Sequence, residues 1–133
     1  MTTIENFSEF AAQTRLGDLS ETEREILSRH LLDTMGAAIA GSHTPIGRAL
    51  RDLTVPGLGG VQVCHPGTID DVTLRTGTVR HTEVDDIHTA SNVTPSSIIV
   101  PTALTMCARL GVTDPQILGG ALLAGYEAIL RLG

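Results

Sequence analysis

The chain has 133 residues, 41% of them hydrophobic and 18% charged, with a formal net charge of -6 and no lysine among its nine basic residues. That length suits one domain around one core, and the composition lacks the charge-rich bias of disordered chains. An acidic balance without a basic cluster excludes the electrostatic footprint of a nucleic-acid binder, and the lack of lysine excludes a Schiff base or amine base from this polypeptide.

Residues 4 to 16 place Ile4, Phe7, Phe10 and Ala11 at helical spacing, a short amphipathic helix that Gly17 can end. Ser20 with Glu23 has the pattern of a capping box, so a second helix starts there and runs to Ala40. Leu27, Leu31, Thr34, Met35 and Ala38 form its apolar stripe, and Gly41 is expected to close it in the left-handed conformation. Thr44 and Pro45 read as a cap and first position of a shorter helix through Leu53.

The Pro56-Gly57 region breaks the pattern, and Val61 to Cys64 alternates weakly, as in one short extended segment before a turn at Pro66-Gly67. Asp70 or Asp71 could cap a further helix through Arg80. A polar stretch over residues 82 to 94 precedes an apolar run from Ile98 to Leu110, ended by Gly111 and kinked or delayed by Pro101. Thr113 is expected to cap a last helix through Leu132, in which Gly119, Gly120 and Gly125 allow close backbone approach.

These elements predict an all-α fold, one helical domain over residues 1–133. With only Phe7, Phe10 and Tyr126 as aromatics, its core must be built from Leu, Ile, Val and Ala. Cys64 and Cys107 lack Cys-x-x-Cys spacing and read as buried free thiols. No stretch has the length of a membrane span, and Glu5 and Glu9 stand where a signal peptide would be basic. A cytoplasmic protein with no membrane or nucleic-acid partner is expected.

Four stretches in order resemble the MmgE/PrpD family: Arg29 to Gly36 with Ala40-Gly41-Ser42, His81 to His88, Pro95 to Leu104, and Gly125-Tyr126-Glu127 with Arg131-Leu132-Gly133. The resemblance implies part of that family's helical domain, without its α/β domain and the lysines it contributes. It also implies enzymes that eliminate, decarboxylate or epimerise small polycarboxylic acids, as 2-methylcitrate dehydratase and cis-aconitate decarboxylase do. The chain departs from the family at Thr94, where typical members carry a proton-transferring histidine. Glu83 stands at the first acidic position of the aspartate-rich motif, and Ile87 where some members carry a substrate-contacting threonine.

Glu83, Asp85, Asp86 and His88 bring three carboxylates and an imidazole into six residues, enough for general acid and base roles, and are the candidate catalytic set. A solvated acidic loop is the bland alternative, and a divalent-cation site a third. His81 and Thr94 are candidate substrate-binding residues, Thr94 also as a cap for the helix at Pro95. His30, His43 and His65 have no identifiable partner in the sequence.

The expected function is a lyase or isomerase acting by proton transfer on a small polycarboxylic acid, or on a biosynthetic intermediate that undergoes elimination, epimerisation or cyclisation. It needs no metal and no cofactor. The alternative is a non-catalytic helical subunit completing a separately encoded partner. Either way the folded form is expected to be a homo-oligomer or hetero-oligomer, because half of a helical unit leaves the faces of its last two helices uncovered.

Overall fold

The computed structural model describes residues 2–52 and 69–133, and the expected extended segment Val61 to Cys64 and His65 lie outside them. The described residues form six α-helices and no strands: α1 (Thr3–Gln13), α2 (Glu21–Ser42), α3 (Pro45–Arg51), α4 (Ile69–Arg80), α5 (Ser96–Leu110) and α6 (Pro115–Leu132), with a 3-10 turn at Leu16–Asp18. The all-α expectation is met.

Three helix starts follow from capping chemistry. Ser20 Oγ accepts from Glu23 N while Glu23 Oε2 accepts from Ser20 N at 2.8 Å, closing the expected box. The Ser20 hydroxyl, donating to Glu23 Oε2 at 2.7 Å, and then the Ser20 amide lower the pKa of the Glu23 carboxyl from its ordinary value. Thr44 Oγ1 accepts from Gly47 N at 2.9 Å at the start of α3. At α6 the cap is Asp114, whose side chain accepts from Gln116 N, rather than Thr113; a carboxylate one residue nearer the helix takes the free amide.

Several boundaries differ from the sequence reading. α1 stops at Gln13, where the Thr14 hydroxyl bonds back to Phe10 O, and Gly17 lies in the 3-10 turn. Gly41 is not left-handed but sits inside α2, buried against α4: a Cβ there would lie 1.9 Å from Thr78 O. Asp70 and Asp71 fall within α4, where Asp71 pairs with Arg75 at 2.7 Å. Pro101 is accommodated within α5, which starts two residues before Ile98, so the expected delay is absent. Gly111, at φ +66, ends α5 as expected.

The core lies where α5 crosses α2 and α6, with Val100, Ala103 and Leu122 buried and Leu27, Leu31, Ile99, Leu104 and Leu118 packed around them. The glycines of the last helix differ from the expected close backbone approach: only Gly120 faces backbone, its Cβ position 3.1 Å from Thr14 O, while the other two make room for side chains. A Cβ at Gly119 would meet Leu16 at 2.6 Å, and one at Gly125 would meet Ile99 at 2.7 Å. In α2, Thr34 and Ala37 are buried, whereas Met35, expected inside, is largely exposed. Every side chain of α1 stays at least partly exposed; it rests on α6 with Arg131 lying 5.3 Å over the Phe10 ring. None of the helices among the described residues is long and apolar enough to cross a membrane.

Candidate functional site

The polar stretch after α4 folds into a loop that crosses from the end of α4 to the start of α5. Its six candidate residues go to different environments. Glu83 takes a left-handed φ of +52, which places its carboxylate in solvent 3.7 Å from Arg80 Nη1. That conformation costs a non-glycine residue about 1 kcal/mol. His88 and Val93 form an antiparallel bridge that closes a turn, within which the Ser91 N–H donates to His88 Nδ1 at 3.3 Å. The His88 side chain is exposed.

Asp85 and Asp86 turn inward. The Asp85 side chain is 1% exposed, with Oδ1 accepting from Arg80 Nη1 at 3.2 Å and Oδ2 buried without a hydrogen-bond partner. Asp86, 14% exposed, accepts from Ser96 N through Oδ1 at 2.9 Å and lies 3.3 Å from His30 Nδ1 through Oδ2. The carboxylate that caps α5 is therefore Asp86, reaching across ten residues, and the expectation that Thr94 caps the helix is overturned. Pro95 occupies the cap position, and Thr94 contributes only its carbonyl, to the Ser97 hydroxyl. Thr94→Ala should accordingly change unfolding free energy by less than about 0.5 kcal/mol in urea titrations.

His81 is engaged by the fold at both ring nitrogens. Nδ1 faces Gly77 O at 3.0 Å and Nε2 faces Thr44 Oγ1 at 2.8 Å, which ties the end of α4 to the cap of α3. A carbonyl only accepts, so Nδ1 carries a proton, and with Nε2 against the Thr44 hydroxyl the ring has no nitrogen left for a ligand.

The acidic loop meets residues that sequence reasoning had not connected to it. The His30 ring of α2 lies 5.5 Å from the Tyr126 ring of α6, and the Tyr126 hydroxyl shares a 2.5 Å hydrogen bond with Ser96 Oγ. His30, Asp86, Ser96 and Tyr126 thus connect α2, the loop, α5 and α6. The available signal was faint: Tyr126 is the sole tyrosine, and a polar hydroxyl on an apolar helix needs a partner.

Burial pushes the Tyr126 phenol up to about 12, opposed by the Ser96 bond and reinforced by the charges of Asp86 and Asp33. The folded chain then holds this proton more tightly than the unfolded one. Stability is fully present below pH 10 and falls as pH rises through about 12, by on the order of 2 kcal/mol. Because Tyr126 is the only tyrosine, tyrosinate absorbance should report a midpoint near 12 when folded, moving to about 10 in denaturant.

A cavity of about 510 Å³ opens between α2, α3, α4 and α5, lined mainly by apolar side chains including Met35, Leu74, Val100 and Leu104. No residue of the acidic loop lines it. Among the described residues no group of three or more His, Cys, Asp or Glu is arranged to hold a metal ion.

No curated protein and no solved structure matches the chain significantly. The model of the MmgE/PrpD N-terminal domain matches residues 5–133, nearly the whole sequence, and covers both the helices and the acidic loop between α4 and α5. The chain belongs to the MmgE/PrpD family, of which it carries the N-terminal domain.

Proposed function

We propose that this chain serves a lyase or isomerase reaction in which a proton is moved at carbon on a small polycarboxylic acid, or on an intermediate derived from one. The observation that carries the reading is the family's acidic segment folded at the start of α5. There Asp86 is a partly buried carboxylate, flanked by the exposed acid Glu83 and the exposed imidazole of His88. A carboxylate and imidazoles at one helix start provide both a base and an acid near neutral pH. Asp85, shut away with Arg80, holds the loop's shape rather than meeting substrate.

The test is incubation of the chain with citrate, 2-methylcitrate and cis-aconitate, following products by proton NMR. Conversion that Asp86→Asn removes is the expected result. No conversion of any of the three, by the chain alone or with a lysine-bearing partner from its host, would sink the reading.

A second reading, a helical subunit completing a partner, is favoured by the outer face of α2. Leu32, Met35, Ile39 and Val84 line an open groove there, and Leu32 is 73% exposed. Apolar faces of this kind also continue on α5 and α6 at Leu110 and Ile117. We infer association with a second copy or a partner; a monomeric mass in solution with a cooperative melt would count against it.

A further inference from the structure

We propose that His30 and Asp86 form an acid–base dyad, with Asp86 as the positioning residue and His30 Nε2 as the nitrogen that exchanges a proton with a carbon acid beside a carboxylate. The proposal rests on the lyase or isomerase reading and gives it an imidazole from α2, outside the acidic segment.

Geometry carries it. Asp86 Oδ1 is held by the Ser96 amide, so Oδ2 is fixed in direction, 3.3 Å from His30 Nδ1. That is the loose end of a charge-assisted contact, as free enzymes often show before substrate tightens the site. A carboxylate accepts and does not donate, so the imidazole proton belongs on Nδ1 and the lone pair on Nε2. The His30 side chain is 39% exposed, and its Nε2 has no partner among the described residues and is not sealed from solvent. The Tyr126 ring packed against the imidazole, itself anchored on Ser96, limits rotation of the His30 ring.

The other described imidazoles lack this arrangement. His81 has both nitrogens occupied, and His88 accepts at Nδ1 from Ser91 N–H with no carboxylate behind it. His43 is exposed at the end of α2 without an acidic partner.

In the step, Nε2 removes the proton from the C–H next to a substrate carboxylate, and the electron pair stays on the substrate as an enediolate. The imidazolium is then paired with the Asp86 carboxylate. Protonation of the opposite face by solvent water, with the imidazolium releasing its own proton to the hydroxide so formed, gives the epimer. Where a β-hydroxyl is present, its C–O bond breaks instead, the hydroxide takes the proton from Nε2, and an alkene and water result.

Long-range proton–nitrogen NMR of the folded chain tests the dyad without substrate. His30 is expected as the Nδ1–H tautomer, shifting toward the Nε2–H form in Asp86→Ala. In heavy water with 2-methylcitrate, His30→Gln should lower deuterium incorporation at carbon by about 100-fold or more, with an unchanged melt and partial rescue by free imidazole. His43→Gln should leave the exchange unaltered.

An Nε2–H tautomer in the native chain, or His30→Gln within about threefold of native exchange, overturns the dyad. If Asp86→Ala does not fold, the native tautomer and His30→Gln still decide. A native chain that exchanges nothing while His30 keeps the Nδ1–H form supports the dyad and counts against the polycarboxylate reading alone.

Discussion

Replacing Gly41 with alanine is expected to remove about 4 kcal/mol or more of stability, enough to unfold most of the chain at ambient temperature. The added Cβ would lie 1.9 Å from the Thr78 carbonyl oxygen and 3.0 Å from its carbon, both backbone atoms of α4. Neither can yield as a flexible side chain would, so α2 and α4 must separate. Gly47 repeats the problem on the other side, with a Cβ 2.0 Å from Gly41 O. Gly36, on the same helix, has nothing within 4 Å of its Cβ position. Gly36→Ala should therefore gain up to about 1 kcal/mol from helix propensity alone. Urea titrations of the two alanine variants check the contrast, and a Gly41→Ala chain within about 1 kcal/mol of native would show the α2–α4 contact to be loose.

Arg80→Ala is expected to cost about 3 kcal/mol, whereas Asp85→Asn costs much less. The asymmetry follows from burial. Asp85 is 1% exposed and Arg80 41%, so losing the guanidinium strands a carboxylate that already has one unpartnered oxygen, while losing the carboxylate leaves a cation that water can solvate. The double variant Arg80→Ala with Asp85→Asn should regain most of the loss, because no buried charge remains. Denaturant melts of the three proteins form the cycle. Equal costs for the two single variants would mean that the carboxylate is reached by water.

Helix existence was legible from the sequence because capping and periodicity are local. The Ser20–Glu23 box, the Thr44–Pro45 start and the Gly111 end are each decided by residues within one turn. Glycine function was legible in kind but not always in place. Gly119 and Gly125 make room for the Leu16 and Ile99 side chains, while the close backbone approach expected of them falls at Gly41, where the sequence suggests a helix end. A glycine at the close of an apolar stripe fits both, and only the neighbour helix decides.

The site was legible as composition rather than as geometry. Spacing brought Glu83, Asp85, Asp86 and His88 together, but it could not tell which carboxylates turn inward. That is set by Arg80 behind the loop and by the Ser96 amide across it. His30, far from Asp86 in the sequence, had no sequence signal linking it to the loop. Asp86 stands in a polar stretch of the kind that suggests solvent, yet its bond to the Ser96 amide makes it part of the helix start.

That double attachment has an evolutionary consequence. A single carboxylate that both secures α5 and orients His30 exposes two traits to every substitution at position 86. A lineage that had lost the chemistry would still be selected to keep the aspartate for the sake of the fold. Its persistence among descendants would therefore be a poor marker of activity, and drift at position 30 the more informative one.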